Sequence, residues 1–210
     1  MSNRQIRITF PAVLFLTGLL VVCLIALFPG IDIVKAQSVN RNTSATSVNT
    51  WTETSFPVEN FQAYTSGFGY RRSPNNPRSV QFHNGLDIAA PKGSYIRNWF
   101  TGTVIQIGDR GACGTYMIIE SGDWQHSYCH MQGSVAKLDG DFYMIDREGG
   151  IKIAKGQQIP SGSRIGRIGM TGRTTGPHLH WVLRYKGEYV DPGLVLRQMY
   201  AAQSDNIPRT

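Results

Sequence analysis

Beyond Phe61 the chain is a succession of short apolar segments separated by glycine-containing turns, and this texture limits the fold more than any other feature. Phe61–Ser66, Val80–Ala89, Tyr95–Trp99, Gly102–Ile107, Thr115–Ile119 and Gln125–His130 each have strand length, and Arg164–Ile168 and Leu179–Leu183 supply two more. Helix-period patterns are scarce here; Leu194–Ala202 alone predicts a terminal helix, after Tyr189-Val190-Asp191-Pro192 closes the domain. Charged residues make up only 17%, while 23 glycines and nine tyrosines suit turns and strands. Residues 133–158 hold a polar, charged excursion around Asp139–Gly150 and read as an inserted hairpin on a loop, shaping a rim. No internal repeat and no Rossmann or phosphate-loop glycine pattern occurs. The prediction is a mainly β protein, a compact antiparallel sandwich or open barrel.

The N-terminus has a different texture. Arg4 and Arg7 precede an apolar run from about Ile8 to Phe28, and Val34-Lys35-Ala36 offers small residues at the −3 and −1 positions of a cleavage site. A signal peptide cut after Ala36 is the favoured reading. The run is almost long enough to span a bilayer, so a retained anchor is the competing one. Val22 stands before Cys23 where a lipidation site wants a small residue, which argues against a lipoprotein. Either way the domain leaves the cytoplasm for the periplasm or cell envelope. Residues 37–58, rich in Ser, Thr and Asn, read as a solvated linker.

Formal net charge is +7; without residues 1–36 there remain 18 basic against 13 acidic residues, a net +5. A modest positive excess on an exported domain suits anionic envelope polymers, and plain solubility explains it equally well. No basic run is present, so nucleic acid is not an expected partner. Export leaves only Cys113 and Cys129, in a compartment that permits disulfides. A hairpin closing at Ser121-Gly122-Asp123-Trp124 sets Cys129 opposite about Tyr116, not Cys113. The register weighs against a bridge unless the chain bends after Cys113.

The chemistry concentrates in histidines. Gly176-Pro177-His178-Leu179-His180-Trp181 follows a glycine-rich loop, and on a strand His178 and His180 share one face. Alone, such a pair is more simply two histidines bonded to carbonyls. Upstream, His83-Asn84-Gly85-Leu86-Asp87 offers an imidazole and a carboxylate, with Gly85 able to bend the segment and bring both inward. His83, Asp87 and one histidine of the later pair would complete a mixed nitrogen and oxygen set suited to Zn²⁺ with one position open. His130, in Tyr128-Cys129-His130-Met131, ends a predicted strand and could hold a proton or support a developing oxyanion. His126, four residues earlier and on the same strand face, is given no role.

The order His-x-x-x-Asp, Tyr-x-His, Gly-Pro-His-x-His resembles the lysostaphin-type (LytM-like) zinc peptidoglycan endopeptidases. Ser66-Gly67-Phe68-Gly69-Tyr70-Arg71, Gly85–Pro91 with Gly93, Gly102-Thr103-Val104, Ile165-Gly166 with Gly169, and Thr171-Gly172 support it. The resemblance covers about Phe61 to Pro192. It implies Zn²⁺ held by His83, Asp87 and His180, with His178 and His130 as the catalytic histidines that activate water and stabilise the tetrahedral intermediate. It further implies a metal at the floor of a groove between loops, and bacterial cell-wall peptidoglycan as substrate. On this reading residues 59–195 are the peptidase domain and 196–210 a tail. Departures are the cysteine in Tyr-x-His, Met131, Asn98-Trp99-Phe100 and the long 139–152 excursion; they bear on substrate choice. A non-catalytic member that regulates other wall hydrolases is the alternative, and a regulatory protein partner is compatible with either. All five family positions are intact, which favours the enzyme.

Overall fold

A computed structural model of the protein describes residues 50–73 and 76–205. The predicted signal or anchor and residues 37–49 lie outside the described residues. The first element is a 3-10 turn, Thr50–Glu53, followed by fifteen strands and one helix. The strands are β1 (Ala63–Ser66), β2 (Gly69–Ser73), β3 (Asn76–His83), β4 (Leu86–Ala89), β5 (Tyr95–Arg97), β6 (Gly102–Asp109), β7 (Thr115–Ser121) and β8 (Trp124–Cys129). They continue with β9 (Ser134–Leu138), β10 (Asp141–Asp146), β11 (Ile151–Ala154), β12 (Gln158–Ile159), β13 (Arg164–Arg167), β14 (His178–Tyr185) and β15 (Glu188–Val190), before α1 (Pro192–Asp205).

Eight strands form the main sheet in the order β1-β4-β14-β8-β7-β6-β12, with β15 also paired to β14. β9, β10 and β11 form a second sheet, β5 and β13 a third, β2 and β3 a fourth. The pairings between these strands are antiparallel, and they do not close into a barrel. The mainly β, antiparallel expectation therefore holds.

Alternation decides which face is which. In β14 Leu179, Trp181 and Leu183 are fully buried, and in β7 Met117 and Ile119 are too. With Ile88, Ile96, Tyr128, Ile165 and Ile168 they build one core behind the main sheet. The opposite face of β14, carrying His178, His180, Val182 and Arg184, lines a groove.

Three expectations need correcting. Residues 133–158 form a three-stranded sheet, not a hairpin, and Met144, Ile151 and Ile153 sink into the core. None of them lines the groove, so the excursion does not shape its rim. The solvated-linker reading fails from Trp51 onward: Val58 is buried and bridges Ile96, and Trp51 and Phe56 pack on the core. The terminal helix starts earlier than predicted because Asp191 caps it, its Oδ1 accepting the Gly193 N–H at 2.8 Å, with Pro192 in the first turn. Val195, Leu196 and Met199 of α1 join the core. No helix among the described residues is long and apolar enough to cross a membrane.

Candidate metal centre

β4 and β14 lie side by side with Asp87 directly opposite His180, and Cys129 opposite His180 on the other flank. Leu86 and Ile88 face the core, so Asp87 between them must face the groove. His83 ends β3 and reaches the same point after a turn through Asn84 and Gly85. That turn needs glycine. A Cβ on Gly85 would stand 2.6 Å from the Trp181 carbonyl oxygen and 2.8 Å from His180 Cε1.

Three atoms converge as a result. His83 Nε2 lies 3.1 Å from Asp87 Oδ1, His180 Nδ1 lies 2.8 Å from the same oxygen, and the two nitrogens are 3.1 Å apart. His83 and Asp87 are buried and His180 is half-buried. The 2.6 Å contact between His83 Nδ1 and the Gly67 carbonyl requires Nδ1 to donate, so in the neutral ring Nε2 presents a lone pair. Two lone pairs and a carboxylate oxygen repel unless protons or a cation lie between them. With protons there, hydrogen bonds from His180 and His83 outweigh the upward push of burial and hold the Asp87 carboxyl well below the usual carboxylate range. The set can therefore hold a divalent cation with the carboxylate fully ionised.

His178 and His130 flank this triangle. His178 Nδ1 donates to the Gly176 carbonyl at 2.8 Å, and its Nε2 lies 3.6 Å from Asp87 Oδ1. His130 Nδ1 donates to the Thr171 carbonyl at 2.8 Å, and its ring centre is 4.8 Å from that of His178. Burial pulls the His130 ring below its ordinary pKa, keeping it neutral. All five residues singled out from the sequence thus meet in one groove of about 810 Å³.

His130 and His126 do not share a face. Strand alternation would put them together, but His130 lies past the end of β8 with φ at 60°, which turns its ring out into the groove. His126 faces the core, fully buried, between Ser121 Oγ at 2.9 Å and the Tyr128 hydroxyl at 2.8 Å. Burial pushes it down to about 3, so it is a neutral structural histidine.

Cys113 and Cys129 are bridged, against the expectation from register. The register itself was read rightly: Met117 pairs with Tyr128, which puts Cys129 opposite Tyr116. The bend is supplied at Gly114, whose φ is +64° and whose missing Cβ leaves room for Thr171 and Gly172. The bent segment accepts the His130 N–H on the Cys113 carbonyl at 2.8 Å.

Sequence reasoning missed the groove's arginines. Arg71, Arg173 and Arg184 all line it. Arg71 ends the Ser66–Arg71 segment, but nothing in the spacing shows which way it points.

The family model for peptidase family M23 matches residues 81–192, more than half the chain and the whole of this groove's histidine set. The chain belongs to peptidase family M23. It is 31% identical over 137 residues to the peptidoglycan DD-endopeptidase ShyA of Vibrio cholerae serotype O1, covering 65% of this chain and 28% of that one. M23 relatives of this kind are much longer: the chain spans little more than a quarter of the length of the first curated relatives it matches. Among solved structures, a zinc-containing peptidase from Vibrio cholerae superposes with a TM-score of 0.53 at 31% identity, over 65% of this chain and 37% of that one. The catalytic domain of lysostaphin from Staphylococcus simulans matches at TM-score 0.50 and 20% identity, over 64% of this chain and 92% of that one, a likeness of fold alone.

Proposed function

We propose that this M23 domain is an exported zinc endopeptidase that hydrolyses peptide cross-links of bacterial peptidoglycan. The observation carrying the reading is the triangle of His83 Nε2, Asp87 Oδ1 and His180 Nδ1, open on the side where His178 stands. Its edges of 3.1, 2.8 and 3.1 Å resemble the roughly 3.3 Å between ligands that tetrahedral zinc imposes with bonds near 2.0–2.1 Å. Three protein ligands rather than four are what a catalytic site, not a structural one, provides. The Gly67 carbonyl on His83 is the usual outer partner that fixes a ligating ring.

Zinc, when bound, supplies Lewis acidity, making a nearby water acidic enough to ionise around pH 7. The chain's own part is proton handling. His178, with Nδ1–H anchored on Gly176, offers an Nε2 lone pair to the proton of that water. Having taken it, the same nitrogen becomes a donor and can support the negative oxygen or protonate the departing amine. His130, likewise anchored on Thr171, stands beside His178 with ring centres 4.8 Å apart and shares this task. The relative named a peptidoglycan DD-endopeptidase supports the substrate class. The N-terminal run Ile8–Phe28 supports export, as a cleaved signal or a retained anchor. A regulator without catalysis is set aside because its metal ligands need not be intact.

The test is a mass spectrum of soluble fragments released from purified sacculi by the zinc-loaded full chain, with His180→Ala beside it. Fragments of opened cross-links, missing from the variant digest, are expected. Zinc-loaded protein that releases nothing would refute the endopeptidase.

A further inference from the structure

The groove has a charge pattern that the metal triangle does not use. Among the described residues that line it, the cations are Arg71, Arg173 and Arg184 and the one acidic side chain is Asp87, already committed to the triangle. Of the three, Arg71 is the one paired with Asp87. Its Nη2 lies 3.7 Å from Asp87 Oδ2, a loose ion pair too long for a hydrogen bond, and its Nε is buried with no hydrogen-bond partner. Arg184 is partly engaged, donating to the Tyr189 hydroxyl and stacking on that ring at 4.2 Å. Arg173 extends from the glycine-rich loop that also supplies Thr171 and Gly176 to the two flanking histidines.

A guanidinium is a planar fork of donors matched to a carboxylate, and a buried N–H left unpaired is costly. Placing such a fork beside a site built for a cation concentrates positive charge, which an incoming anion relieves. Arg71 is separated from the triangle only by the width of the Asp87 carboxylate. One residue of extended peptide spans about 3.3–3.6 Å, so a carboxylate next to the scissile bond comes within its reach.

We propose that Arg71, seconded by Arg173, binds a carboxylate that the substrate carries within one residue of the scissile bond, and so selects the bond that is cut. The substrate class follows from this. In a cross-link made through the amine of a diamino dicarboxylic acid whose second carboxylate is free and shares a carbon with that amine, the carbon bearing the scissile nitrogen also bears the anion. A glycine bridge offers none. Arg71 is thus a specificity-determining residue, and the inference rests on the peptidase reading above.

The test uses two peptide dimers that differ only in a free carboxylate or a carboxamide on the diamino acid, with the zinc-loaded full chain. The wild type is expected to favour the carboxylate in kcat/KM by about ten- to a hundredfold, as a charged hydrogen-bond partner implies. Arg71→Gln should bring that ratio close to one with zinc content unchanged, and Arg71→Lys should keep part of it. Calorimetry with the corresponding monomeric stem peptides reads the same preference without turnover. Binding that prefers the carboxylate in a chain that cleaves neither dimer would sink the peptidase reading and leave the carboxylate site standing. Equal cleavage and binding of both forms would overturn the site. So would a preference that survives Arg71→Gln and vanishes when zinc is removed, since the anion would then be held by the metal.

Discussion

His83, His130 and His178 each commit Nδ1 to a backbone carbonyl, whereas His180 turns Nδ1 itself toward Asp87. The anchor does not follow the proposed roles, since His83 shares it yet lies in the triangle. What sets the proposed metal-holding pair, His83 and His180, apart from the proposed proton-handling pair, His130 and His178, is contact with Asp87 Oδ1 at 3.1 and 2.8 Å. His180→Ala removes one of three ligand atoms and should leave the purified protein without zinc. His178→Ala leaves the triangle intact and should keep zinc while losing on the order of a hundredfold or more in turnover, the usual effect of deleting a proton-transfer group. Metal analysis beside a cleavage assay decides; equal zinc in the two variants would mean the roles are misassigned. His126 acts at the same scale but for stability. It stays neutral down to about pH 3 in the fold, whereas an unfolded histidine takes a proton near 6.5. The unfolded chain therefore gains protons first as pH falls, and stability is full above 6.5 and drains away between 6.5 and 3. The expected loss from this group is about 2 kcal/mol between pH 8 and pH 5. Denaturation of wild type and His126→Gln across that range should show a shallower slope in the variant, although its stability at pH 8 is lower.

At the scale of elements, β14 was the most legible piece of the chain, because alternation alone put His178 and His180 on one face and Leu179, Trp181 and Leu183 on the other. Asp87 was legible on other grounds, from its place four residues after His83 with Gly85 between them as the bend. What alternation cannot announce is where a strand stops: φ of 60° at His130 reverses its face relative to His126. Nor can it announce a side chain's reach across a groove, which is why Arg71 went unread. The disulfide was hidden by the bend at Gly114, a position whose left-handed backbone is cheap only for glycine. Two consequences belong here. The bridge closes a loop with a sequence separation of 16 and ties the segment that holds the His130 N–H. Replacing both cysteines by serine should cost about 3 kcal/mol in unfolding free energy. It should also slow turnover while zinc stays bound, because only His130 loses its frame. Unchanged turnover in the double variant would show that the Thr171 carbonyl suffices to hold that ring. Gly85→Ala acts on the opposite side of the site: its methyl would meet the Trp181 backbone and His180, so metal affinity should fall together with stability.

For the molecule as a whole, the main sheet divides the labour, with the groove on one face and the core on the other. The three-stranded sheet is fastened to that core by Met144, Ile151 and Ile153 and by the ion pairs of Arg167. Arg167 of β13 donates from Nε to Asp146 Oδ2 at 2.6 Å and from Nη2 to Oδ1 at 2.8 Å, and both residues are buried. Arg167 also reaches the exposed Glu148 at 2.8 Å. Its guanidinium holds the Asp146 carboxyl below the usual carboxylate range, so the pair persists in mild acid and fails only as pH falls through that lowered value. Removing the cation strands a buried anion, and Arg167→Ala should cost about 3–5 kcal/mol. Replacing both partners by apolar residues of similar bulk, Arg167→Met with Asp146→Leu, removes the stranded charge and should recover most of that loss. Neither residue lines the groove, so zinc content per folded molecule should be the same in all three proteins. Chemical denaturation with metal analysis reads both quantities. A single variant no less stable than the double one would mean that packing of Met144, Ile151 and Ile153 holds the second sheet without the ion pair. Loss of zinc in Arg167→Ala would mean that this fastening sets the geometry of the groove.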